Sequence, residues 1–170
     1  MLNGLDKKVI ADAVEAIKAA PNMGGKTVKS RSVWKGGYQV ETTVNDFKIV
    51  VDEPCVLGGT NIAATPTAYL LGAFGACYSI IFVFLATMKG IEIEELALEV
   101  EANLDIPGFL AIVDDLKTDK VPGFTGIKTK VIVKSKASKD ELEKISERAS
   151  DFSPVGQSLI RPVVVTMEID

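Results

Sequence analysis

The chain has no histidine at any of its 170 positions. That absence removes Ser-His-Asp and Cys-His catalysis, His-ligated zinc and imidazole acid–base chemistry together. Cysteine is almost as scarce. Only Cys55 and Cys77 are present, which makes no disulfide framework for a secreted domain, so a reducing cytoplasm is the expected setting. The opening MLNGLDKKVI lacks an apolar run before a small-residue cleavage site, and no secretory leader is expected. Positive charge is also short, with a net charge of -4 and a pI near 5.0. No stripe gathers the lysines, which argues against a nucleic-acid partner. Repeats and low-complexity segments are absent too. The length allows one domain with a real core, or one domain with a helical extension.

What the chain does have is a long uncharged stretch. From Ala68 to Met88 no residue is charged, and Cys77 sits near the middle. Thr65 is a plausible N-cap, and Pro66 fits the first turn, where a missing N–H costs nothing. Lys89 followed by Gly90 makes a stop signal: a cation in the last turn, then a residue that tolerates the left-handed conformation. Ala68, Gly72, Ala76, Ser79 and Val83 recur at helical spacing as a stripe of small residues, which lets another backbone come close. The length would satisfy a membrane span. The small-residue composition, and the half-apolar strands elsewhere that need a helix to cover them, favour a buried helix of a soluble protein.

In chain order, Leu5, Val9, Ala13, Ala16, Ile17 and Ala20 form one face of a first helix, which Pro21 ends. Gly25-Lys26-Thr27 resembles the tail of a phosphate-binding P-loop, but Ala20 stands where that motif needs glycine. A helix precedes it and a strand follows, the reverse of the required context, so nucleotide binding is rejected. Three strand-like runs come next, Thr27 to Trp34, Tyr38 to Val44 and Phe47 to Val51, joined by Lys35-Gly36-Gly37 and Asn45-Asp46. Asp52 to Asn61 is a connecting loop. Its glycines could bring N–H groups to an anion at the helix start, although a tight connection is the simpler reading. After Gly90, Leu96 to Leu104 alternate as a half-buried strand. Asp105 to Gly126 reads as irregular, and Asp114, Asp115 and Asp119 read as a solvated loop rather than a metal site. Ile127, Thr129, Val131 and Val133 line a further strand. Ser138 with Glu141 forms a capping box opening a helix that buries Leu142, Ile145 and Ala149, with Phe152 a further candidate. Ser153-Pro154 breaks that helix, and Val163, Val165, Met167 and Ile169 line one face of a last strand. The order after the first helix is β-β-β-α-β-β-α-β, an α+β layout.

That order, with several short motifs, resembles the OsmC/Ohr family of osmotically induced and organic hydroperoxide resistance proteins. The motifs are Asp52-Glu53-Pro54 with Leu57-Gly58-Gly59, Thr65-Pro66 at the helix start, Gly75-Ala76-Cys77 within it, and Ser153-Pro154-Val155. The resemblance covers about residue 26 to the C-terminus, taken as an OsmC-like domain over 26–170 behind an N-terminal helical extension over 1–25. It implies an intertwined homodimer with the cysteine helix buried centrally and the active sites at the subunit interface. Peroxidase-type members reduce organic hydroperoxides with two cysteines, one attacking and one resolving. Cys77 matches the attacking cysteine, so the resemblance implies a thiol-dependent hydroperoxide reductase acting in oxidative stress, with no cofactor and no metal.

The sequence departs from the peroxidase pattern at three positions. Ser153 stands where the resolving cysteine belongs, Thr67 where a carboxylate follows the helix-starting proline, and Tyr38 where an arginine follows the hairpin glycines. Arg31 and Arg161 are the candidate substitute cations, because a thiol in apolar surroundings needs one nearby to become a good nucleophile. Cys55 or an external thiol would regenerate Cys77, and Ser153 reads as capping a helix end. A second expectation, from another class, is a non-catalytic protein holding an apolar ligand in an interfacial pocket lined by Thr67, Phe74, Tyr78 and Ile81. A purely structural dimer, with Cys77 as core packing, is the third. A homodimer is common to all three, and no nucleic acid or membrane partner is expected.

Overall fold

The computed structural model describes residues 1–106, 108 and 122–169. Asp114, Asp115 and Asp119 lie outside these described residues. The chain divides into two compact units, Met1–Leu70 and Leu71–Asp170.

The first unit opens with helix α1 (Lys7–Ala19), capped by the Asp6 carboxylate, which accepts from the Lys8 amide at 2.8 Å. The apolar face expected for it is present, but none of its residues is buried. Three antiparallel strands follow, β1 (Ser30–Gly36), β2 (Gln39–Val44) and β3 (Phe47–Val51), in the order β1-β2-β3. β1 starts at Ser30, three residues later than the sequence pattern suggests. The register puts Trp34, Val40 and Val51 side by side on one face, with Thr42 beside Ile49 and Val44 beside Phe47. The opposite face carries Arg31, Thr43 and Lys48 with Val33, Glu41 and Val50. Asn45, at φ 53°, supplies the left-handed residue that the two-residue turn between β2 and β3 requires. The loop after β3 folds on itself so closely that a Cβ at Gly59 would lie 1.8 Å from the Glu53 carbonyl oxygen. Only glycine fits there.

Helix α2 (Pro66–Lys89) has the ends its sequence announces. The Ala68 amide donates to the Thr65 hydroxyl at 3.2 Å. At the other end Gly90, at φ 79°, directs its own amide to the Thr87 carbonyl (3.0 Å) and the Ile91 amide to the Ala86 carbonyl (2.9 Å). These paired bonds form a Schellman cap. By length and composition α2 could cross a membrane. Its Gly75, Tyr78, Phe82, Ala86 and Thr87 are instead buried within the second unit.

That unit pairs β4 (Ile93–Leu104) antiparallel with β5 (Phe124–Ser135) and adds helices α3 (Lys139–Phe152) and α4 (Pro154–Ile160). Both strands alternate half-buried with exposed positions along most of their length, as the period-two apolar pattern dictates. Leu96, Leu98, Val131 and Val133 pack against a core of Tyr78, Phe82, Ala86, Ile145 and Ala149. The Ser138–Glu141 capping box opens α3, with both of its reciprocal bonds made.

The structure corrects the sequence reading further along the chain. β5 already begins at Phe124, inside the stretch read as irregular. The Ser-Pro break is followed by helix α4, a seven-residue element too short to show a period. The last strand expected from Val163 to Ile169 is not formed among the described residues, and Val163 to Ile169 run exposed. Alternation defines a face for a strand but supplies no neighbouring edge, and an extended segment becomes a strand only through a ladder.

Phe82 has no solvent exposure, and its removal leaves a cavity between α2, α3 and the sheet. Phe82→Ala is expected to cost about 3–5 kcal/mol, read as a lowered urea midpoint with an unchanged slope.

Candidate functional site

Cys77 lies on the flank of α2, between its buried stripe and its exposed side. It is half-buried and free. Among the described residues its thiol has no hydrogen-bond or ionic partner. Phe74 and Ile81, both half-buried, stand one turn before and one turn after it, so the three share that flank. The adjacent Tyr78 points inward. Its hydroxyl lies 2.8 Å from the Ser146 carbonyl oxygen, to which it donates, and 2.6 Å from the Ser146 hydroxyl, which fixes α2 against α3. Burial pushes the Tyr78 phenol above its usual range, opposed in part by the Ser146 hydrogen bond. At pH 7 it is a neutral donor and no source of negative charge.

Ser153, at 0% exposure, is the N-cap of α4. Its hydroxyl accepts from the Gly156 amide at 3.2 Å. A Cβ on Gly156 would lie 3.3 Å from both the Phe74 ring and the Ser153 hydroxyl. The first turn of α4 is thereby seated against Phe74, one turn from Cys77 on the same helix. The second unit thus brings together Phe74, Ser153 and Gly156 beside the flank that bears Cys77 and Ile81.

The remaining residues predicted for the site, Arg161 apart, belong to the first unit. Arg31 is exposed on β1 opposite Thr43. Cys55 is exposed at the start of a single 3-10 turn, Cys55–Leu57. Thr67 is half-buried in the first turn of α2, its hydroxyl 3.0 Å from that of Thr65. Tyr38 lies against Gly58, 3.6 Å from the position of its Cβ. Arg161, the other candidate cation, is an exposed residue of the second unit and follows α4 directly. Among the described residues no three cysteine, aspartate or glutamate side chains gather as a metal cluster.

Sequence reasoning gave no role to Asp52. It is 1% exposed and closes the loop that leads to α2, accepting from the amides of Glu53 (2.8 Å), Thr60 (3.0 Å) and Ile62 (3.3 Å) and from the Thr60 hydroxyl. The one available signal was an aspartate ending a strand just before a glycine-rich turn, a position suited to local backbone capping.

A family model described as OsmC-like protein matches residues 58–168. The chain belongs to the OsmC-like family. Solved structures share the fold at low identity. An OsmC-like protein from Mycoplasma pneumoniae is 21% identical, with a TM-score of 0.67 over 79% of this chain and 87% of its own. An organic hydroperoxide resistance protein from Legionella pneumophila is 18% identical, with a TM-score of 0.62 over 79% and 90%. One from Elizabethkingia anophelis is 16% identical, with a TM-score of 0.57 over 80% and 89%. A comparison with curated protein sequences gave no match. These likenesses establish an OsmC-like α+β fold preceded by an N-terminal helix.

The Ser153 hydroxyl caps α4 inside the core, so Ser153→Ala is expected to destabilise the protein by about 0.5–2 kcal/mol, measured by urea unfolding. Because the hydroxyl is directed to a backbone amide, the rate at which Cys77 reacts with a maleimide should be unchanged.

Proposed function

We propose that this protein reduces organic hydroperoxides through Cys77, working as a single-cysteine thiol reductase. The observation that carries the reading is the position of that thiol: half-buried on the α2 flank, free, and beside the apolar side chains Phe74 and Ile81. The Cys77 thiolate attacks one peroxide oxygen, the O–O bond breaks, and the alkoxide leaves and takes a proton as the alcohol. Cysteine is oxidised to sulfenic acid as the peroxide is reduced. An external thiol then condenses with the sulfenic acid, releasing water and forming a mixed disulfide. A second thiol attacks that disulfide, restores Cys77 and carries both electrons away as an external disulfide. Ser153, in the place of a resolving cysteine, takes no part in these steps. Cys55 is an alternative source of the first regenerating thiol, and Arg31 the candidate cation for the thiolate.

The reading includes a homodimer in which a second copy covers the outer side of α2. That side exposes Ala73, Ala76 and Ile80, with Ile80 at 67%. The rival reading, an OsmC-like protein that binds an apolar molecule without chemistry, is favoured by the same apolar flank together with a Ser153 hydroxyl already engaged.

Consumption of an aryl hydroperoxide in the presence of a small dithiol separates the two. Wild-type protein is expected to accelerate it, and Cys77→Ser to return the rate to that of the dithiol alone. Ser153→Cys should then lose two hydrogens in mass after one equivalent of peroxide, through a disulfide with Cys77. Equal consumption by wild type and Cys77→Ser would rule out the reductase and leave ligand binding, measured by native mass spectrometry after exposure to a lipid extract.

A further inference from the structure

The strongest polar construction in the first unit is the Asp52 carboxylate, and its geometry has a consequence for the loop around it. Oδ1 accepts the Glu53 amide, and Oδ2 accepts the amides of Thr60 and Ile62 and the Thr60 hydroxyl. The donors span ten residues of chain and come from both ends of the loop. Within this closure the Asn61 amide donates to the Glu53 carbonyl at 3.1 Å and the Asp52 amide to the Ala64 carbonyl at 3.4 Å. The enclosed segment carries the 3-10 turn of Cys55. Every contact to the carboxylate is a donor, and no cation forms an ion pair with it among the described residues. Glu53 and Cys55 are the titratable side chains of the loop 53–62, and Tyr38 reaches Gly58 from the β1–β2 turn.

We infer that Asp52 is a proton-operated latch: its carboxylate holds the loop 53–62 closed, and protonation opens the loop while the core of the second unit stays folded. An ionised carboxylate offers two acceptor oxygens to four donors, whereas a protonated one carries a hydrogen of its own where the donors converge. The hydrogen bond from the Thr60 side chain does most to hold the carboxyl below its ordinary range, with the backbone bonds from Glu53, Ile62 and Thr60 adding to it and burial opposing them. The sign follows from that depression. The closed loop is favoured while the carboxyl is ionised and loses that preference as pH falls from the ordinary aspartate range through the lower, closed-state value.

The test is amide hydrogen exchange on the whole chain between pH 7 and pH 2.5, corrected for the intrinsic rate at each pH. As pH falls below the ordinary aspartate range, the protection of the Thr60 and Ile62 amides should decrease, by at most about tenfold per pH unit for the one proton involved. The amides of Phe82 and Ile145 should keep theirs over the same range. Asp52→Asn should show the open-loop protection already at pH 7, and Thr60→Val should lower it in the same direction. If Asp52→Asn does not fold, the wild-type titration and Thr60→Val decide. Protection at Thr60 and Ile62 that stays level with pH, or that disappears only in step with Phe82 and Ile145, would overturn the latch.

Discussion

A helix with no charged residue from Ala68 to Met88 must be covered on every side of that stretch or sit in lipid. In α2 this constraint organises the rest of the chain. One stripe, Gly75, Tyr78, Phe82 and Ala86, is covered by β4, β5 and α3. Gly75 permits the approach of Val100, whose Cγ2 would be 3.3 Å from a Cβ at that position. Tyr78 enters the same stripe without leaving a polar atom unmet, because its hydroxyl finds Ser146. The opposite side is open, and Cys77 lies at the border between the two. A free, half-buried thiol at that border is the candidate group of the proposed function.

Much of this was legible in the sequence, because the signals are local. Thr65, Gly90 and the Ser138–Glu141 box each mark a helix end through bonds made within a few residues, and each end lies where its marker stands. The alternation of Leu96, Leu98 and Val100 with glutamates, and of Val131 and Val133 with lysines, fixes which face of the hairpin meets the helices. The resemblance to the OsmC/Ohr family rested on short motifs in order, none of which would suffice alone.

What the sequence did not disclose depends on partners distant along the chain or short in extent. The acceptors of Asp52 gather donors eight and ten residues downstream, a pattern with no period. Helix α4 has seven residues, and Pro154 at its start reads equally as a stop for α3 and as a first-turn residue for α4. The segment 162–169 has a strand's alternation but joins no ladder among the described residues. For the first helix the apolar face was recognisable, but amphipathicity describes a face and says nothing of whether anything covers it.

The central claim is that the open side of α2 is completed by a second copy of the chain, with Cys77 at that boundary. Sedimentation equilibrium at micromolar concentration tests it most directly. A single species of twice the 18.2 kDa chain mass, converted towards the monomer by Ile80→Glu, is the predicted result. A stable species at the chain mass across the concentration range would contradict it and leave α2 uncovered.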